Sequence, residues 1–315
     1  MRVVCTPTRV RARIDWICLL STIYPARCLD PTAVRRDAER ALSEGHLKLA
    51  RSTLKSAVAE LQREETEPTQ ANIDLWTDLG KVYSRMGQEI EAVGALDAAV
   101  EATSRVHGQG DPRYAMALDK LADAHMRSGS SFQAMQLYTE VLSLMRKGFG
   151  KSHPGYQITL GKAAQAAQKA GKHRKATHAF DELLKLVEEE HAKSNQAAEN
   201  LGMIHLQYAT ALAAAGKLTD ALAQANQAQE TYEQSGLNRS MDHAAAFNGI
   251  AGILEKLNRD EEAVAAMAKA LEIAQNVEDA GTDIVRGAQK NLDGLKAHVL
   301  RKKRTSSSAS LATEL

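Results

Sequence analysis

Apolar and polar positions along this chain repeat at a spacing much longer than one helix. Residues suited to ending helices stand at Gly45, Gly87, Gly129, Gly171, Gly216 and Asn258, at intervals of 42, 42, 42, 45 and 42 residues. Glycine and asparagine are the residues that accept the left-handed backbone with which many helices close. Counted from each of these marks, the flanking positions repeat in kind. Five residues later stands an alanine every time: Ala50, Ala92, Ala134, Ala176, Ala221 and Ala263. Nine later come Leu54, Leu96, Tyr138, Phe180, Ala225 and Met267, and twelve later Ala57, Ala99, Val141, Leu183, Ala228 and Ala270. Seven before each mark stand Ala38, Gly80, Ala122, Ala164, Ala209 and Ala251. Eight before it the column is Leu79, Leu121, Ala163, Tyr208 and Ile250, broken only in the first unit by Asp37.

The pattern predicts an all-α chain of about six antiparallel helix pairs over residues 31–281, each a helix, a tight turn and a second helix. Small residues recur where two helices cross closely, and larger apolar ones where one pair packs on the next. Residues 282–300 read as a capping helix that shields the last pair. The single 45-residue interval places three extra residues around the second helix and linker of the fourth pair, where a local change in stacking is expected. Composition agrees: 44% hydrophobic, only 4% aromatic and six prolines favour helices over a sandwich or barrel. No stretch approaches the ~18 consecutive apolar residues of a membrane-spanning helix.

The set Leu79-Gly80, Tyr83, Gly87, Ala92 and Ala99, with Trp76 opening its helix, resembles the tetratricopeptide repeat. The 42-residue interval is longer than that family's usual length of about 34. It is similar to the repeats of kinesin light chains and nephrocystin-like proteins, whose second helix is extended. Two linkers strengthen the likeness. Residues 105–114, with Asp111-Pro112, align at a spacing of 42 with residues 147–156, with His153-Pro154. Proline there is expected to stop one helix and let the chain turn into the next.

The resemblance implies a right-handed superhelical solenoid whose first helices line a concave groove. The lining positions it implies lie two, six, nine and ten residues before each mark. In the middle repeats they form a basic track of Lys81, Arg85, Lys120, Arg127, Lys162 and Lys169. Such a track suits a partner segment carrying Asp or Glu. A second reading stays open for Arg85, Arg127, Lys169 and Lys256: a cation in the last turn of a helix complements the helix dipole. Asn248 is the one asparagine at a groove position, which counts against the clamp that holds chaperone tails in some relatives. Kinesin light chains carry paired asparagines where this chain has Thr77-Asp78, Asp119-Lys120, Gly161-Lys162 and Leu206-Gln207. The expected function is a non-catalytic scaffold or adaptor for protein or peptide partners. The alternatives are a structural subunit of a large protein assembly, an organellar one included, and a kinesin light chain-like cargo adaptor.

Charge and chemistry narrow the field. Residues 1–30 hold five arginines and two aspartates, residues 301–315 four basic residues and one glutamate, and the body between them is mildly acidic. An acidic body argues against a nucleic-acid partner. Cys5, Cys18 and Cys28 all precede residue 30, so the body has neither a disulfide framework nor a cysteine zinc site. The ten histidines lack metal-ligand spacing; His173 and His178, for example, fall on different helix faces. No phosphate-binding glycine loop or framed nucleophile is present. No catalytic residue, metal, cofactor or small-molecule ligand is therefore expected.

The ends carry targeting candidates. Arg2, Arg9, Arg11 and Arg13 could form an organellar transit segment, residues 16–24 a weak signal-peptide core, or residues 1–30 a plain extension. The expected location is cytoplasmic, or mitochondrial or plastid if the segment acts in transit. Residues 301–315 read as a disordered basic and serine-rich tail: an end cap, a nuclear signal or a phosphorylation site.

Overall fold

The computed structural model describes residues 30–63, 67–191, 198–237, 240–277 and 281–313, which form thirteen α-helices and no strand. The chain divides into two compact units, residues 1–106 and 107–315. The first holds α1 (Pro31–Ser43), α2 (Leu47–Arg63), α3 (Gln70–Arg85) and α4 (Glu89–His107), which ends at its boundary. The second holds α5 (Pro112–Arg127), α6 (Ser131–Gly148), α7 (Pro154–Lys169), α8 (His173–His191) and α9 (Ala198–Ala214). It continues with α10 (Leu218–Gln234), α11 (Met241–Lys256), α12 (Asp260–Gln275) and α13 (Thr282–Thr313).

The turn inside each pair follows from one residue. Gly45, Gly87, Gly129, Gly171, Gly216 and Asn258 all have positive φ, between 59° and 84°. That conformation lets the next N–H reach back to the carbonyl five residues earlier. Examples are His46 to Ala41 (2.7 Å), Gln88 to Tyr83 (2.9 Å) and Arg259 to Leu254 (2.9 Å). The bond satisfies a carbonyl that the helix end leaves open, and it reverses the chain within three residues.

The starts of the first helices are equally specific. Pro31, Pro112 and Pro154 occupy the first helical turn, where a missing N–H costs nothing. The residue before each proline caps the helix. Asp30 accepts from the Thr32 N–H (3.0 Å), Asp111 from the Arg113 N–H (2.8 Å), and the His153 Nδ1 from the Gly155 N–H (3.0 Å). Proline in these linkers therefore opens the following helix. The expectation that it ends the preceding one is corrected, because α4 closes at His107, well before Pro112.

The repeating columns form the core. Ala50, Ala92, Ala134, Ala176, Ala221 and Ala263 are all fully buried, and a residue larger than alanine has no room at such crossings. In the first unit Leu54, Leu75, Leu79 and Val82 pack among Ala38, Ala50, Ala57 and Ala95. Gly80 fits there because an added Cβ would lie 2.6 Å from Leu96 Cγ. In the second unit one cluster centres on Tyr138, Leu160, Phe180 and Leu184, and another on Ile250, Leu254, Met267 and Leu271. The terminal helix joins the latter through Leu292 and Leu295, covering the last pair as a cap. Asp37, the misfit of its column, stands exposed.

The expected disordered tail is also corrected. α13 runs unbroken to Thr313. Lys302 Nζ lies 2.7 Å from Asp260 and 3.1 Å from Asn258 Oδ1, and Lys303 Nζ lies 2.8 Å from Glu261. These acids stand at and just inside the start of α12, so the basic run is held against that helix. The targeting readings of residues 1–29 lie outside the described residues, as do residues 192–197, where part of the longer fourth interval falls. The helix before them, α8, has the same 19 residues as α4, so the second helix of that pair is not lengthened. Among the described residues no helix is long and apolar enough to cross a membrane.

Candidate protein-docking face

The first helices of the pairs carry the candidate face. In the second unit these are α5, α7, α9 and α11. On each, residues 13, 10 or 9, 6 and 2 positions before the turn share one side of the helix, at spacings of three or four. The N-terminal position of that side is apolar and open to solvent: Met116, Ile158 and Met203 are 60%, 63% and 43% exposed. On α11 the same position is Ala245, also exposed. Large apolar side chains left in water at matched positions of successive repeats form a row, unlike the scattered apolar residues found on most surfaces.

The middle of the face is internally compensated. Lys162 on α7 places its Nζ 2.9 Å from Asp119 and 3.0 Å from Asp123, both on α5. The same Nζ lies 5.8 Å from the centre of the Tyr138 ring, and the Tyr138 hydroxyl donates to Asp123. Partial burial opposes the charge on Lys162, but its bonds to Asp119 and Asp123 outweigh that, and its pKa is raised. Burial, then the bond to Asp123, pushes the Tyr138 phenol far above its usual range. One repeat further, Gln165 donates to Gln207 at 3.0 Å. These bonds tie α5 to α7 and α7 to α9, side by side.

The C-terminal end of the face is cationic. Arg127, Lys169 and Lys256 are exposed in the last turns of α5, α7 and α11. There the negative end of the helix dipole favours them, so the dipole reading and a docking role rest on the same geometry. On α9 the position is Ala214.

In the first unit, Lys81 lies 2.8 Å from Asp78, whose other oxygen receives the Arg35 Nε at 2.8 Å. Arg35 also reaches Asp74 at 2.6 Å. Arg85 is exposed in the last turn of α3.

The expected basic track is thereby revised. Lys81 and Lys162 are neutralised by carboxylates on their own or the neighbouring first helix. Lys120 is partly buried on α5; Lys81 is exposed but paired with Asp78, and Arg85, Arg127 and Lys169 are exposed as well. In the sequence the apolar row is visible only as a column 13 residues before the last four marks, since Thr32 and Asp74 hold that place before the first two. The sequence alone does not show Asp119 and Asp123 to be counter-charges.

Comparison with known proteins agrees with this architecture. The tetratricopeptide repeat profile matches residues 70–147 and 113–189, and a second profile of that name matches 244–277. Among curated proteins, none matches the sequence significantly. Among solved structures, the chain is similar to the nearly identical TPR-like repeats of a putative kinesin light chain from Podosopora anserina. That likeness has 20% identity and a TM-score of 0.56, covering 67% of this chain and 99% of the other. It is also similar to BtubC (BKLC) from P. vanneervenii, with 15% identity and a TM-score of 0.53, covering 64% of this chain and 80% of that one. At these identities the likeness is one of fold.

Proposed function

We propose that this chain, a member of the tetratricopeptide repeat family, is a non-catalytic scaffold that docks an acidic segment of a partner protein on the first-helix face of its second unit. The observation that carries the reading is the division of that face. Exposed Met116, Ile158 and Met203 line one end, and exposed Arg127, Lys169 and Lys256 the other. The apolar row supplies contact area, at roughly 25 cal/mol per Å² removed from water. The cations supply selection for acidic partners and speed of encounter more than affinity. The compensated middle, around Lys162, serves the scaffold, since its charge is already met by Asp119 and Asp123.

Affinity purification with mass spectrometry tests this. The chain is compared with a variant carrying Arg127→Glu, Lys169→Glu and Lys256→Glu. Loss of partners with acidic segments, with the helical signal by circular dichroism unchanged, is the expected result. Recovery of the same partners by both proteins would overturn the reading.

A further inference from the structure

The apolar row ends in a cavity. Between α11, α12 and α13 lies a space of about 310 Å³, lined by Met241, Ala245, Met267 and Ile284 with two amides, Asn248 and Asn291, among them. Ala245 is the residue of α11 in register with Met116, Ile158 and Met203, so the row and the cavity share a wall. Ile284, on the terminal helix, is 52% exposed beside it. The space lies at the lower limit of the ~300–1,000 Å³ typical of ligand pockets. It suits one bulky side chain better than a cofactor, and its two amides can meet a single polar atom such as an indole N–H.

The dimensions of the face set the form of what carries that side chain. Ala245 and Lys256 are eleven residues apart on one helix, about 16 Å at ~1.5 Å per residue. The apolar row and the cationic row therefore run roughly that far apart across the first helices. A helix with its side chains is about 10–12 Å wide. Lying across α5, α7, α9 and α11, it can rest one edge on the apolar row and turn acidic side chains toward the reaching ends of Arg127, Lys169 and Lys256. An amphipathic helix presents such an apolar edge and an acidic edge continuously along its length. Side-by-side helices lie about 8–10 Å apart, so four of them offer a track of roughly 25–30 Å. That corresponds to about 20 helical residues.

Resting on the docking reading above, we propose that the partner segment is an amphipathic α-helix with an acidic edge, and that one bulky apolar side chain near its end anchors in the cavity between α11, α12 and α13. The terminal helix is then part of the binding site as well as a cap.

A synthetic 20-residue peptide tests the assignment. It has leucines along one edge, glutamates along the other and a tryptophan at one end of the apolar edge. Binding to the full chain is followed by fluorescence anisotropy and by the methyl signals of labelled methionine. Met241 and Met267 report the cavity, and Met116 and Met203 the row. The expected result is ring-current shifts at Met241 and Met267, with at least tenfold weaker binding when the tryptophan becomes alanine. Gly287→Leu should weaken binding equally by filling the cavity mouth, because a Cβ there meets nothing within 4 Å and the fold tolerates it. Gly287→Ala serves as the folding control and should bind as the unaltered chain does.

Binding that needs the glutamates, Arg127 and Lys169 but ignores the tryptophan and Gly287→Leu overturns the anchor and leaves the docking reading standing. Binding that ignores the glutamates and the charge reversals overturns the docking reading. Failure of the peptide to bind overturns the anchor. So do Met241 and Met267 signals that move with the chain's own concentration, which would make the occupant a second copy.

Discussion

Lys162 reaches back 43 residues to Asp119, its Nζ 2.9 Å from that carboxylate, and so joins the first helices of two successive repeats. Asp123 takes a second bond from the same ammonium at 3.0 Å. The group is about one-third exposed, which discounts its worth below that of a fully buried pair. Lys162→Met leaves two carboxylates facing one another without a cation, and is expected to cost about 1–2 kcal/mol in urea unfolding. Lys81→Met, at a pair whose lysine is largely in water, should cost less than about 1 kcal/mol. Equal losses from the two variants would contradict the assignment of Lys162 as an inter-repeat clamp.

The same cluster makes the fold sensitive to alkali. The pKa values of Lys162 and Tyr138 are both raised in the folded chain. A raised pKa contributes stability that is complete below the unfolded value, near 10 for both groups, and is lost as pH rises through the folded value. Tyr156, buried and bonded to Glu182, is pushed up to about 12. Titration of phenolate absorbance should therefore show Tyr138 ionising only as the chain unfolds, with Tyr156 titrating late. Tyr138→Phe should remove the highest-pH part of the curve. Ionisation of all seven tyrosines together near pH 10 would rule this out.

At the crossing of α5 and α6, Ala134 has no exposed surface. Ala134→Leu adds three carbons where the helices touch, and is expected to cost about 1–3 kcal/mol. Exposed Gln136 offers a control on the same helix: Gln136→Leu should change stability by about 0.5 kcal/mol or less. A thermal melt unaffected by Ala134→Leu would refute the packing register of the pair.

The last turn differs from the others in using Asn258, at φ 59°. An L-residue in this region costs about 1–2 kcal/mol, which asparagine partly escapes. Asn258→Ala should lose about 1 kcal/mol, because it keeps the backbone cost and also removes the acceptor for Lys302. Asn258→Gly removes the backbone cost while losing the same bond, so its melting point should stay close to the original. Equal losses for glycine and alanine would show that the Lys302 contact, and not the backbone, governs this turn.

Much of the fold was readable because a repeat writes each constraint several times. A glycine alone is weak evidence, but six positive-φ residues, each followed five positions later by a buried alanine, specify a turn and a crossing together. The docking face was less readable. Lys162 and Lys169 look alike in sequence, both lysines on one helix face, yet one is spent on Asp119 and Asp123 while the other extends into water. Met116, Ile158 and Met203 looked like ordinary apolar helix positions, and only their side of the helix shows that nothing covers them. Pro112 was read as a stop because proline breaks helices, although its fixed φ also suits the first turn of one.

By itself the sequence determined the helical class, the six turns and the small-residue crossings, because these depend on backbone conformation and on contacts between residues of one pair. Only the tertiary structure decided which cations are paired with neighbouring carboxylates, as Lys162 is, that the apolar row faces solvent, and that the terminal helix closes a cavity against α11 and α12. Those outcomes depend on the distance between side chains some 40 residues apart. That distance is set by how one repeat packs on the next.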